Sequence, residues 1–453
     1  MYNEINKEEK LTKEERYILE RNLKVCFETI FKDPDTKSFD MKDIENKERF
    51  LKKFSPWHKT EGQKLIQDFV DNVNNDNSTI DFSWLDILNN DKRWNKDDEL
   101  KKEIKENKNK YINMHYQIPT HFHGDIDNAV LFYCMENPRG YTKDSDMDTW
   151  AEKQMFGKKT VDNYYKHTAE LRDETWKNET SQKIIKERYN LNGFTTDSIE
   201  KIIYSNSKDE TPLRRELKNM FKENKEFFDK KYILVKNKRS KKPALSDKYY
   251  YISRFYAQLL EINGENLSKY NIKSEYKEEA KAERDKAIKI SEKICNVEIY
   301  PFSSSDPKLK GIGGKILRNS DLSRLGAYIV LRRIYKYLQE VEKGKKDAQK
   351  PVIIFRKYDS AWKELFKKIF DEVKDFDNKL VLELLEKGFF YCQLAQQGGG
   401  ITSGNVISVP NYKILLSMKK DAFKEISDLL PRIDIDKISA KESGNEWWIL
   451  KKD

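Results

Sequence analysis

The chain has 453 residues, enough for two or three domains of ~100–200 residues each. Its 24 Tyr, 23 Phe and 8 Trp can fill a core, and the interleaving of Lys with Glu points to solvated helix faces rather than disorder. The net charge of +10 admits a nucleic-acid partner without requiring one. No apolar run approaches ~18 residues, so no membrane partner is expected. The polar start Met1-Tyr2-Asn3-Glu4 is unlike a signal peptide, and a cytoplasmic bacterial protein is expected. Cys26, Cys134, Cys295 and Cys392 lack zinc, iron–sulfur or disulfide spacing, so neither metal nor cofactor is expected.

Residues 1–110 read as helices with charged faces, with Leu19, Leu23 and Phe27 at helical spacing, and form a candidate helical accessory domain. Gly124 to Ala129 then lead into Val130–Met135, an apolar run too short for a helix and suited to a buried strand. The run ends abruptly in Glu136-Asn137-Pro138-Arg139-Gly140-Tyr141. Ligands of open α/β sheets sit beyond the carboxyl ends of parallel strands. Glu136 and Asn137 therefore occupy positions where a reacting group is held.

The stretch up to the next strand exceeds a simple crossover, which predicts a mostly helical insertion at about 150–290. Within it, residues 230–242 carry seven basic side chains and no acidic one. Lys236, Lys238, Arg239 and Lys241 are the candidate DNA-phosphate contacts, with a solvated loop as the plainer reading. Further strands are predicted at Cys295–Tyr300, Pro351–Phe355 and Asn405–Val409, with crossover helices at Leu322–Leu338 and Ala361–Phe370. Strands alternating with helices predict an α/β fold with a parallel sheet. The strand ends deliver Phe302 and Ser303, then Arg356, then Asn411 to one edge. The glycine-rich segments Gly311–Lys315 and Gly398–Gly404 fit neither a P-loop nor a dinucleotide fingerprint and read as loops beside a cleft.

These four junctions, in order and spacing, resemble the motifs of the uracil-DNA glycosylase-like superfamily. Asn137-Pro138 is similar to the Asn-Pro form of its first motif, and Glu136 matches a position that is glutamate in one branch. Tyr300-Pro301-Phe302-Ser303-Ser304, Arg356 ahead of Trp362, and Ser408-Val409-Pro410-Asn411 resemble the later motifs. The likeness covers roughly residues 111–141 and 290–420. It implies a three-layer α/β/α domain over 111–453 with a four-stranded parallel sheet. It also implies a DNA glycosylase that flips a base from the stack and hydrolyses its N-glycosidic bond.

In that scheme Asn137 and Glu136 are the catalytic residues, and Asn137, or Glu136 acting as a base, holds the water. Tyr141 or Phe302 stacks on the base, and Ser303, Arg356 and Asn411 contact its edge or the leaving anion. Three departures stand out. Arg139 separates Pro138 from Gly140, Phe302 and Ser303 replace the pyrimidine-reading asparagine, and no histidine precedes Pro410. These suit a modified base, as in phage-defence members that act on modified viral DNA. The alternative is a catalytically inert DNA-binding or sensing module on the same fold.

Overall fold

The computed structural model describes residues 11–32, 38–74, 83–91, 93, 98, 102, 118–136, 191, 193–227, 234–236, 243–245, 249, 251–260, 262, 270–272, 275–302, 314, 320–373, 376–394, 400–402 and 405–417. The chain opens with helices α1 (Lys13–Ile30), α2 (Lys42–Glu45), α3 (Lys47–Phe54) and α4 (Thr60–Asn74). α1 starts at a reciprocal cap, in which the Thr12 hydroxyl accepts from the Glu15 amide and the Glu15 carboxylate accepts from the Thr12 amide. Its apolar stripe of Leu19, Leu23, Cys26 and Phe27 is buried.

Strands β1 (Phe122–His123) and β2 (Leu131–Met135) follow, then α5 (Thr196–Ile203), β3 (Tyr204–Ser205) and α6 (Pro212–Phe227). A two-stranded hairpin of β4 (Leu234–Lys236) and β5 (Pro243–Leu245) comes next, then a π-turn at Ile252–Tyr256 and α7 (Lys277–Ser291). The last part alternates β6 (Ile294–Glu298), α8 (Asp321–Glu342), β7 (Val352–Phe355), α9 (Lys363–Phe370), α10 (Asn378–Gly388), β8 (Phe390–Gln393), β9 (Val406–Ser408) and α11 (Val409–Ser417).

The fold is α/β, built on one seven-stranded sheet in the order β3-β1-β6-β2-β7-β8-β9. The expected four-stranded parallel sheet is corrected to this mixed one. β6, β2 and β7 are parallel neighbours, as their sequences imply, but the fourth parallel strand is β8. The run around Val406 instead pairs antiparallel with β8 at the sheet edge. The connection between β8 and β9 is about the least that a parallel crossover needs, roughly a dozen residues, and the chain returns antiparallel instead.

β2 reads as an unbroken apolar run because both of its faces are covered. Phe132, Cys134, Val297, Ile353 and Phe355 belong to a core shared with α8, α9 and the N-terminal helices. Leu131, Tyr133, Met135, Ile294 and Ile354 pack on the other face against α6, α7 and the Ile252–Tyr256 turn. The described part of the expected insertion is therefore helical in α5, α6 and α7, but it also supplies a sheet strand and one covering layer.

The N-terminal helices share the first core. Phe27 meets Tyr335 edge-on at 5.5 Å and Phe31 meets Tyr328 at 5.1 Å. Buried Arg332 of α8 ties them to the sheet. It donates to the carbonyls of Ile44 (2.5 Å) and Glu45 (3.1 Å) and pairs with Asp127 at 2.5 Å.

The turn before β2 is architectural. The Asp125 carboxylate accepts from the Asp127 and Asn128 amides at 3.0 and 3.3 Å. Gly124 has φ +133°, and a Cβ there would lie 2.5 Å from the Ile294 carbonyl oxygen, so no other residue fits without a shift.

Candidate active site at the carboxyl edge of the sheet

The carboxyl ends of β6, β2 and β7 lie side by side, because all three run the same way in register. Met135 pairs with Glu298, and the Arg356 amide donates to the Cys134 carbonyl at 2.9 Å. Beyond β2 the ladder continues for one residue, with the Tyr300 amide donating to the Glu136 carbonyl at 2.9 Å. Glu136 is thus fixed by backbone pairing at the sheet's edge, where the sequence places it.

Its side chain is almost wholly buried and lies between two cations from the end of β7. Arg356 Nε is 3.4 Å from Oε2, and Lys357 Nζ is 3.4 Å from Oε1. Oε1 has no hydrogen bond among the described residues, so its contact with Lys357 is an ion pair alone. Both cations keep about a fifth of their side-chain surface in solvent (20% and 22%), so an anionic ligand can reach them. Lys357 sits in the left-handed region at φ 46°, ψ 49°, the only non-glycine described residue with positive φ. Such strain in a non-glycine residue costs roughly 1–2 kcal/mol and gathers at functional sites.

A second carboxyl, which no sequence motif singles out, stands beside the first. Glu298 ends β6, is 3% exposed, and its Oε2 has no hydrogen-bond partner among the described residues. Strand alternation puts Asn296 and Glu298 on the face of Tyr133 and Met135, where Arg356 also projects, its guanidinium 5.7 Å from the Phe255 ring centre. Burial, reinforced by the Glu136 charge and opposed by Arg356, pushes the Glu298 carboxyl well above the usual carboxylate range. Its one signal in the sequence is a charged residue at the end of a strand whose other residues are Ile, Cys, Asn and Val.

On that face Tyr133 donates to Gln393 at 2.9 Å, Gln393 donates to the Gly400 carbonyl at 3.2 Å, and Tyr256 bonds Asn296. Gly400 and Ile401 are docked there. The Ile401 amide donates to the Phe255 carbonyl at 2.8 Å, and a Cβ on Gly400 would meet that same oxygen at 2.9 Å. Cys134, Cys295 and Cys392 are buried, and burial pushes their thiols well up, which leaves them protonated and unsuited to nucleophilic attack.

The other expected site residues separate into groups. Arg356 joins Glu136 directly. Asn137, Tyr141 and Ser303, with Lys238, Arg239 and Lys241, lie outside the described residues. Lys236 ends β4, with its backbone paired to Pro243.

Phe302, expected as a stacking platform, packs in the core. It is 1% exposed, edge-on to Tyr300 at 5.3 Å. Asn411 is corrected from strand end to helix. β9 runs opposite to its neighbour, so its carboxyl end points away from the edge that holds Glu136, and Asn411 falls in the first turn of α11.

Among the described residues, no group of three or more His, Cys, Asp or Glu could hold a metal, and no helix is long and apolar enough to cross a membrane. Two carboxyls in unlike surroundings, beside two approachable cations, can divide acid and base roles between them. Comparison with protein families, with curated proteins and with solved structures finds no match to this chain.

Proposed function

We propose that the chain is a DNA-base glycosylase of the uracil-DNA glycosylase-like kind, hydrolysing the N-glycosidic bond of a flipped, modified base. The observation that carries this reading is Glu136, a buried carboxylate held between Arg356 and Lys357 at the carboxyl edge of three parallel strands. Breaking the bond builds positive charge on the sugar and negative charge on the base. Glu136 is suited to the first as a carboxylate that takes a proton from the attacking water, with Asn137 beside it in sequence to orient that water. Arg356 and Lys357 are suited to the second, or to a flanking phosphate, as preformed cations that need no reorganisation during reaction.

The three-layer glycosylase domain over 111–453, the accessory role of residues 1–110 and the phosphate contacts of Lys236, Lys238, Arg239 and Lys241 belong to the same proposal. So do a cytoplasmic setting and a role in antiviral defence against phage DNA with modified bases. The inert DNA-sensing reading draws on one observation, that the two ion pairs of Glu136 are themselves a structural reason for a carboxylate at this strand end.

Incubating the full chain with phage and host DNA and assaying abasic sites tests the proposal. Release from phage DNA supports it. DNA binding without release favours the sensor.

A further inference from the structure

We infer that Glu298 is the proton donor of this site, a neutral carboxylic acid that protonates the departing base while Glu136 receives the proton of water. The inference rests on the glycosylase reading. Its geometric basis is the in-register pairing of β2 with β6, which sets Glu298 beside Met135, one residue before Glu136. The side chain is buried on the face where Arg356 projects, with Oε2 unpartnered among the described residues. A buried carboxyl oxygen without a partner is costly if it serves architecture alone, since it gives up its solvation with no hydrogen bond in return.

The groups facing Glu298 come from three elements. Glu136 stands at the end of β2 (Cys134 acts on Glu298 only from that strand's opposite face), Arg356 follows β7, and Tyr256 lies in the covering turn. Of these, Cys134 and Tyr256 are pushed well above their usual ranges by burial and stay neutral, and only Arg356 favours the Glu298 anion. Burial and the neighbouring Glu136 charge outweigh it, so the protonated form of the carboxyl is favoured relative to an ordinary glutamate.

The step balances. The water oxygen bonds to the anomeric carbon, and its proton passes to Glu136. The carbon–nitrogen bond breaks with its electron pair going to the base, and the Glu298 proton joins that nitrogen. Glu298 is left ionised and Glu136 protonated, and a proton transfer between them through solvent restores the starting state.

The test is single-turnover base release by the full chain from single-stranded and duplex oligonucleotides bearing uracil, 5-hydroxymethyluracil or 5-fluorouracil. Glu298→Gln keeps the volume and removes the acidic proton. Release of uracil-type bases should fall by ~100-fold or more. The loss should shrink for 5-fluorouracil, whose anion leaves more readily, and the wild-type alkaline limb of the pH profile should vanish. A structural role would slow all bases alike.

If Glu298→Gln does not fold, the wild-type profiles alone decide. A uracil rate that falls at alkaline pH while the 5-fluorouracil rate does not supports the donor, and parallel profiles overturn it. Release unchanged in Glu298→Gln overturns the donor and leaves the glycosylase reading standing. No release by wild type from any probe or from phage DNA overturns both.

Discussion

Lys357 Nζ lies 3.4 Å from Glu136 Oε1, and the lysine reaches it from a left-handed backbone conformation at φ 46°. The strained residue and the buried carboxylate are therefore one device. Lys357→Gly removes both strain and charge, whereas Lys357→Ala removes only the charge. The Gly variant should be more stable than the Ala variant by about 1 kcal/mol in urea titrations, and both should be deficient in base release. Equal midpoints for the two would show that the backbone carries no strain.

β2, β6 and β7 are legible in the sequence because central parallel strands, buried on both faces, are unbroken apolar runs. β8 is not, because Phe390-Tyr391-Cys392-Gln393 is brief and continues an aromatic patch begun at Phe389 behind α10. The direction of β9 is hidden because Val406-Ile407-Ser408 has the same composition either way. The connection from Gln393 to Val406, barely long enough for a crossover helix, is the one local hint of an antiparallel return. β1 and β3 are two residues each and give no periodic signal.

At the site, Glu136 and Arg356 stand out because they follow apolar strands directly, whereas Glu298 is concealed as the last residue of one. Phe302 looks available from sequence because an aromatic after a strand reads the same whether it faces a cleft or the core.

Arg332 is fully buried and joins α8 to Asp127 and to the carbonyls of Ile44 and Glu45. Removing one partner of a buried pair leaves the rest uncompensated. Arg332→Met should lower the unfolding free energy by about 3 kcal/mol. Lys336 retains Asp127 at 2.9 Å, which keeps the cost toward the lower end of the range. A urea titration that moves by less than ~1 kcal/mol would mean that the N-terminal helices dock without this anchor.

Stability should also depend on pH through buried groups of opposite sign. Burial pulls His121 and His123 down to about 3 and His58 to about 4. The native state keeps them neutral while the unfolded chain takes protons near pH 6.5. Their contribution is whole above 6.5 and is lost as pH falls toward 4, at about 1.4 kcal/mol per unit for each fully buried group.

Glu298 acts the other way. Its folded value is raised, so its stabilising effect is present at low pH and is lost as pH rises from the ordinary glutamate range. The stability difference between wild type and Glu298→Gln should therefore shrink from pH 5 to pH 8 in urea titrations. A constant difference would contradict the assignment.

If the 230–242 segment tracks phosphates, neutralising Lys236, Lys238, Arg239 and Lys241 together should weaken DNA binding for every sequence. The slope of log affinity against log salt should flatten by about 0.9 for each duplex phosphate no longer neutralised. An unchanged slope would return the segment to a solvated loop.

The most direct measurement is single-turnover abasic-site formation in phage DNA by wild type, Glu136→Gln and Asn137→Ala, with DNA binding followed in parallel. A water-activating pair acts in the transition state, so wild type should generate abasic sites and each variant should be slower by ~100-fold or more while still binding. Wild-type protein that binds the DNA yet leaves every base in place, or a Glu136→Gln variant as active as wild type, would contradict the account.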